Sequence, residues 1–347
     1  MRHTFLFLTV IFCAVVFQID FVSAQADGPV AHMDALTNRE EILSQKYMSY
    51  MSEVAHGSRA RKMEKRREDL INSIKESLKE SGKLRPFQGD ATLRDAYRKY
   101  WSVLLSVFTE QYHKIVDMEE VAEQSYDAME AYLLIQEKAS QTLDSAYSEI
   151  PGTFQAFADK HGVKLIEAQK TKLSKKLDQA GRVNSYLNKV YLIFFKSYVQ
   201  EGEMLRGLNA NNINAIEQSK GSMAKYADEG LTKLDTLKPF KGDGSLITAC
   251  RKVLEFNKSE AEKFTSLTNF LIKFEEYQKI KKTYDTKPAN KRTKTDVDSY
   301  NKSVEDYNAM ANNFNKLNTD LNTGRTKVLD NWNNSRKRFM DSHIPHK

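Results

Sequence analysis

Residues 84–93 read LRPFQGDATL, and residues 237–246 read LKPFKGDGSL. Extended to sixteen residues, LRPFQGDATLRDAYRK and LKPFKGDGSLITACRK agree at nine positions. Four of the shared residues have a physical role at a junction between helices. Pro86 and Pro239 lack the amide that would continue a preceding helix. Gly89 and Gly242 tolerate the positive φ of a tight reversal. Asp90 and Asp243 stand where an N-cap belongs, offering a carboxylate to the free amides of the next first turn. Phe87 and Phe240 are placed to plug the end of a bundle. The stretch therefore reads as a helix-turn-helix connector written twice, which predicts a duplicated helical unit. It is not a phosphate-binding P-loop, because PFxGD has one glycine and no following Lys-Ser/Thr.

The sequence on either side of each connector supports helix throughout. Glycine supplies 14 of 347 residues and proline 6, below the usual share of about 7% and about 5%. Between Asp34 and Met340 the prolines are Pro86, Pro151, Pro239 and Pro288. Tyr300, Val304, Tyr307, Ala311, Phe314, Leu321, Val328 and Trp332 recur at alternating steps of four and three, as on one stripe of a helix. Leu93, Ala96, Tyr100, Val103 and Val107 do likewise, and so do Leu246, Ala249, Val253, Phe256, Phe264 and Leu271. No run alternates at period two. The expected class is all-α, with helices near 36–56, 58–82, 91–117, 119–149, 164–208, 211–236, 244–282 and 294–339, and a shorter piece over 154–160. They would form two tandem bundles of long antiparallel helices, residues 27–163 and 164–347.

Residues 1–26 have the basic start, the apolar run Phe5–Phe17 and the small residues near Ala24 and Ala26 of a secretory signal peptide. The apolar run is shorter than the roughly 20 residues a membrane-spanning helix needs. Cys13 lies inside it behind the bulky Phe12, which argues against a lipid attachment site. With the signal removed, Cys250 is left as the single thiol, so no internal disulfide can form. The expected location is outside the cytoplasm: periplasmic, attached to the cell surface or secreted.

The formal charge of +7 and isoelectric point near 9.0 favour anionic partners, and export disfavours nucleic acid among them. The densest basic cluster is Arg59, Arg61, Lys62, Lys65, Arg66 and Arg67. A second runs through Lys279, Lys281, Lys282, Lys287, Lys291, Arg292 and Lys294. Signatures of catalysis are missing: there is no H-E-x-x-H, no cysteine pair and no G-x-S-x-G. Glu53-Val-Ala-His56 and Glu110-Gln-Tyr-His113 have the Glu-x-x-His spacing of di-iron carboxylate bundles, which also need a Glu from each of two other helices. Glu53, His56, Glu110 and His113 thus define an alternative metalloprotein reading, and a coiled-coil scaffold of the envelope is another. The leading expectation is a binding protein without enzymatic activity or cofactor, monomeric or dimeric, that contacts proteins or anionic glycan surfaces.

The signal peptide, the Tyr-rich first helix, the L-[KR]-P-F-x-G-D turn and the Asn-rich final helix (YNAMANNFNKLNTDLN) together resemble a family of exported bacterial surface proteins. That family takes its name from a leptospiral surface lipoprotein of the ErpY-like type and is widespread in Bacteroidetes. The resemblance implies an all-helical surface or periplasmic protein without known enzymatic activity and, for the leptospiral type, binding of host proteins. It carries no site residue across.

Overall fold

The computed structural model describes residues 28–56, 59–112, 121–165 and 171–345. The expected signal peptide and His113 lie outside them. Among the described residues the fold is all-α, with eight α-helices and no strand. These are α1 (Pro29–Ala55), α2 (Ala60–Lys83), α3 (Thr92–Ser106), α4 (Tyr126–Lys160), α5 (Lys172–Asn209), α6 (Ile213–Thr236), α7 (Ser245–Thr286) and α8 (Lys294–His343). None is long and apolar enough to cross a membrane.

Local chemistry sets several of the ends. The Ser125 hydroxyl accepts from the Ala128 amide at 3.1 Å to start α4, and the Asn212 side-chain oxygen accepts from the Ala215 amide at 3.1 Å to start α6. The break expected between residues 149 and 154 does not occur, and α4 runs through Pro151. An interior proline costs about 3 kcal/mol. Ile150, Phe154, Phe157 and Ala158 are all buried around it, and their burial is what holds the helix continuous.

Both connectors have the same backbone. Gln88 and Gly89 take φ of 50° and 84°, and Lys241 and Gly242 take 50° and 88°. Two successive positive φ values are the mark of a type I′ turn, which wants glycine at its second central position. Phe87 and Asp90 exchange amide–carbonyl bonds of 3.0 and 2.8 Å across the first turn, and the Asp243 amide donates to the Phe240 carbonyl at 2.9 Å across the second. The aspartates act one residue earlier than a strict N-cap, since Ala91 and Gly244 hold that position. The aspartates are instead the fourth residues that close the turns. Each carboxylate still captures a first-turn amide: Asp90 Oδ1 accepts from Thr92 at 2.9 Å and Asp243 Oδ1 from Ser245 at 2.8 Å.

The chain divides into two compact units, Met1–Asn188 with Lys337–Lys347, and Lys189–Arg336. In the first, α1, α2, α3 and α4 bury Tyr47, Tyr97, Tyr100, Trp101, Phe108, Tyr132, Phe154 and Phe157. The end of α8 joins it through His56 Nδ1 and Asp341 Oδ1 at 2.8 Å and through Gln179 Nε2, which donates to the His343 carbonyl at 2.6 Å. In the second unit, Met204, Ile216, Met223, Phe264, Leu267, Leu271 and Leu321 form one cluster. Glycines set the approach of its helices. A Cβ on Gly230 would stand 2.8 Å from Leu254 Cδ1, and one on Gly324 would stand 2.6 Å from Phe256 Cε2.

Candidate binding surface

The basic cluster of α2 is not a uniform patch. Arg59, Arg61 and Lys65 are exposed. Lys62, itself exposed, and the half-buried Arg66 reach the buried carboxylate of Glu53, at 2.7 and 3.6 Å. Arg67 is buried: its Nε and Nη2 donate to Glu64, its Nη1 donates to the Phe108 carbonyl at 2.7 Å, and its guanidinium lies 4.2 Å from the Tyr112 ring centroid. Phe108 belongs to a π-helical turn, Val107–Gln111, that continues α3. Such a turn misaligns carbonyls that an α-helix would bond, and Arg67 supplies one of the missing donors. Arg67 is therefore a support for the fold and cannot serve as a docking residue.

The described members of the Glu-x-x-His pairs, Glu53, His56 and Glu110, are each engaged by other partners. Glu53 is held by Lys62 and Arg66, His56 by Asp341, and Glu110 is exposed with Ser106 donating to it at 3.3 Å. Among the described residues no group of three or more His, Cys, Asp and Glu side chains is placed to hold a metal ion.

The two connectors differ in what surrounds the aspartate. Asp90 is buried, and its Oδ2 takes Lys160 Nζ at 2.7 Å and His161 Nε2 at 3.2 Å. Lys160, then Thr92, hold its carboxyl well below the usual carboxylate range. Phe87 packs edge-on to His161 at 4.9 Å, and His32 stacks on Phe157 at 5.3 Å. Burial, followed by the Arg94 charge, lowers the His32 pKa. Asp243 is only half-buried. The first connector is thus clamped by residues some seventy positions away, which nothing in the connector itself announces.

Each unit also buries a carboxylate. Glu40 in α1 accepts from Trp101 Nε1 at 2.7 Å, while its Oε1 has no partner among the described residues. Burial pushes its pKa up to about 7. In the second unit Arg325 reaches Glu201 at 2.9 Å and also Glu260. Burial first, then the neighbouring Glu201, raises the Glu260 pKa. One guanidinium facing two buried carboxylates favours retention of a proton. These groups are enclosed and each is held by a neighbouring side chain of its own unit, which suits structural roles.

The hairpin formed by the end of α7 and the start of α8 is different. Between Leu271 and Leu321 no residue is buried. The two helices are joined by Pro288 and a 3-10 turn, Ala289–Lys291. Aromatic pairs hold them in register: Phe270 with Phe314 at 4.5 Å, Tyr277 with Tyr307 at 4.8 Å and Tyr284 with Tyr300 at 4.3 Å between centroids. All six rings are half-buried, and Ile272 and Ile280 are exposed. At the root, a groove of about 480 Å³ has Leu267, Phe270, Met310, Phe314 and Leu317 as its floor and Asn269, Asn313, Lys316 and Asp320 at its edge. An apolar floor with a few polar groups is the usual make-up of a ligand site, and the volume lies within the usual range of about 300–1,000 Å³. The sequence periodicity contains Tyr300, Tyr307 and Phe314 but does not distinguish a covered stripe from an uncovered one. No protein-family model, curated protein or solved structure matches the chain.

Proposed function

We propose that this is an exported helical protein that works by binding, without catalysis of its own, and that the 272–320 hairpin is the part that binds. The single observation that carries this reading is the hairpin itself. Its forty-nine consecutive residues contain none that is buried, yet a ladder of aromatics fixes their register. A helix pair that contributes so little to its own core, and is held rigid, suits recognition of a partner. The buried titratable groups elsewhere have structural partners, which favours binding over reaction chemistry. The resemblance to exported bacterial surface proteins and the signal-peptide pattern support the same reading, with the duplicated connector as a device of architecture. Partners on this reading are proteins or anionic glycans of an envelope or host surface.

The test is an array of glycans and of envelope and matrix proteins probed with the mature chain, alongside an Ile272→Glu/Ile280→Glu variant. At least one saturable ligand is expected, with binding reduced about tenfold or more in the variant and the melting temperature unchanged. Ligand binding indifferent to the hairpin, or stoichiometric iron or manganese in the purified chain by elemental mass spectrometry, would overturn the reading.

A further inference from the structure

The tip of the hairpin concentrates the charge of the molecule. Residues 279–296 hold seven basic and two acidic side chains, a net +5 of the chain's +7. Both acids are already engaged. Asp285 pairs with Lys281 at 2.5 Å, and Asp296 pairs with Lys287 at 2.5 Å while accepting from the Thr293 amide and hydroxyl. Arg292 is occupied over the Tyr284 ring at 4.2 Å. Lys279, Lys282, Lys291 and Lys294 remain exposed, displayed on a tip made rigid by those same pairs. Beside them is a hollow of about 270 Å³ lined by Thr283, Thr295 and Ser299, with Lys279 and the Lys287-paired Asp296 at its edge and Ile280 and Tyr284 as apolar wall.

We infer that the hairpin tip is a docking site for an acidic polysaccharide, a deepening that rests on the reading of this hairpin as the binding part. The exposed lysines meet the carboxylate or sulfate groups of successive sugar units, and the hydroxyl-lined hollow receives one ring. Three observations favour this partner over other polyanions. The apex, Pro288-Ala289-Asn290, exposes no large apolar side chain to wedge into a bilayer. Tyr284, the aromatic ring of the hollow, is covered by Arg292 and by Tyr300, so it offers no face on which a nucleic-acid base could stack. The hollow offers hydroxyls, the groups that exchange hydrogen bonds with sugar hydroxyls.

The experiment measures binding of the full mature chain to heparin, polygalacturonate, neutral dextran, vesicles containing anionic phospholipid, and single-stranded DNA, at low and at physiological salt. Three variants are compared, each checked for an unchanged helical spectrum and melting temperature. The expected result is binding to both acidic polysaccharides and not to dextran, weaker at higher salt. K279A/K282A/K291A/K294A loses about tenfold or more. T283V/T295V/S299A, which leaves the charge intact, loses about threefold or more. R59A/R61A/K65A on α2 stays within about twofold.

The inference is overturned if neither acidic polysaccharide binds, or if the α2 variant loses as much as the tip variant. It is also overturned if vesicles or DNA bind as tightly and the hydroxyl variant changes nothing, which would mark a site for charge alone. Should the polysaccharides fail while an array ligand still depends on Ile272 and Ile280, the inference falls and the binding role of the hairpin stands. Failure of both removes both.

Discussion

Glu40 is a carboxylate in a place that suits an acid. It is buried against Trp101 with one oxygen unpartnered among the described residues, and its folded-state pKa of about 7 lies above the ordinary 4.5. The folded chain therefore binds this proton more tightly than the unfolded chain does. The stabilisation is fully present below pH 4.5 and is lost as pH rises to about 7, beyond which the effect is constant. Glu40→Gln keeps an oxygen for the Trp101 donor and removes the charge. In chemical denaturation at pH 8 the variant is expected to be more stable by up to about 3 kcal/mol, with the advantage gone at about pH 4. Arg67 makes the opposite point about a charge. Its removal takes the Arg67 donor from the Phe108 carbonyl and from Glu64, so Arg67→Ala should cost about 2–3 kcal/mol, whereas Lys65→Ala should stay within about 0.5 kcal/mol. Equal effects at the two positions would show that Arg67 does not support the π-helical turn.

Two glycines separate the reasons an element can need one. At Gly89 nothing stands within 4 Å of the place a Cβ would occupy, but φ is 84°. Gly89→Ala should therefore cost about 1–2 kcal/mol, from backbone strain alone. Gly324 lies within α8, where the loss would instead come from space, since a Cβ would approach Phe256 Cε2 to 2.6 Å. Overpacking of that kind costs about 1–3 kcal/mol. A second change, Phe256→Leu, should recover part of the loss in Gly324→Ala and none in Gly89→Ala. Thermal melts of the four variants check this, and recovery in both backgrounds would remove the distinction. At the same scale, α4 passes Pro151 because buried side chains flank it, an outcome local propensity opposes.

The whole chain carries a built-in reporter. Cys250 is the single thiol once the expected signal peptide is removed. It is fully buried in the Lys189–Arg336 unit with its thiol directed to the Val190 carbonyl. Burial pushes its pKa well up, and a protonated, enclosed thiol is inert. The native chain should resist alkylation on the time scale on which an exposed cysteine reacts in minutes. Labelling should rise with denaturant alongside the helical signal of the unit that contains it. Two compact units need not unfold together, so the labelling curve should match only the transition of that unit. Rapid labelling under native conditions would mean that this core opens far more readily than its packing suggests.

Sequence alone determined the class and most of the element order. Helical periodicity is a local property, and in a chain poor in glycine and proline it has few interruptions. The doubled PFxGD stretch located two reversals for the same reason, since turn chemistry is set by neighbours along the chain. What the sequence could not contain was which side chains meet over long separations. It offered Arg67 as one of six surface cations, although the residue is bound to a carbonyl 41 positions away. It wrote Asp90 and Asp243 alike, although it is Asp90 that Lys160 and His161 clamp. It also placed Tyr300, Tyr307 and Phe314 on one stripe with Leu321 and Trp332, which end up buried. Only the tertiary structure decided that this stretch meets a single partner helix and keeps its other face open, because burial depends on how many neighbours a side chain finds, and periodicity specifies only the direction in which it looks.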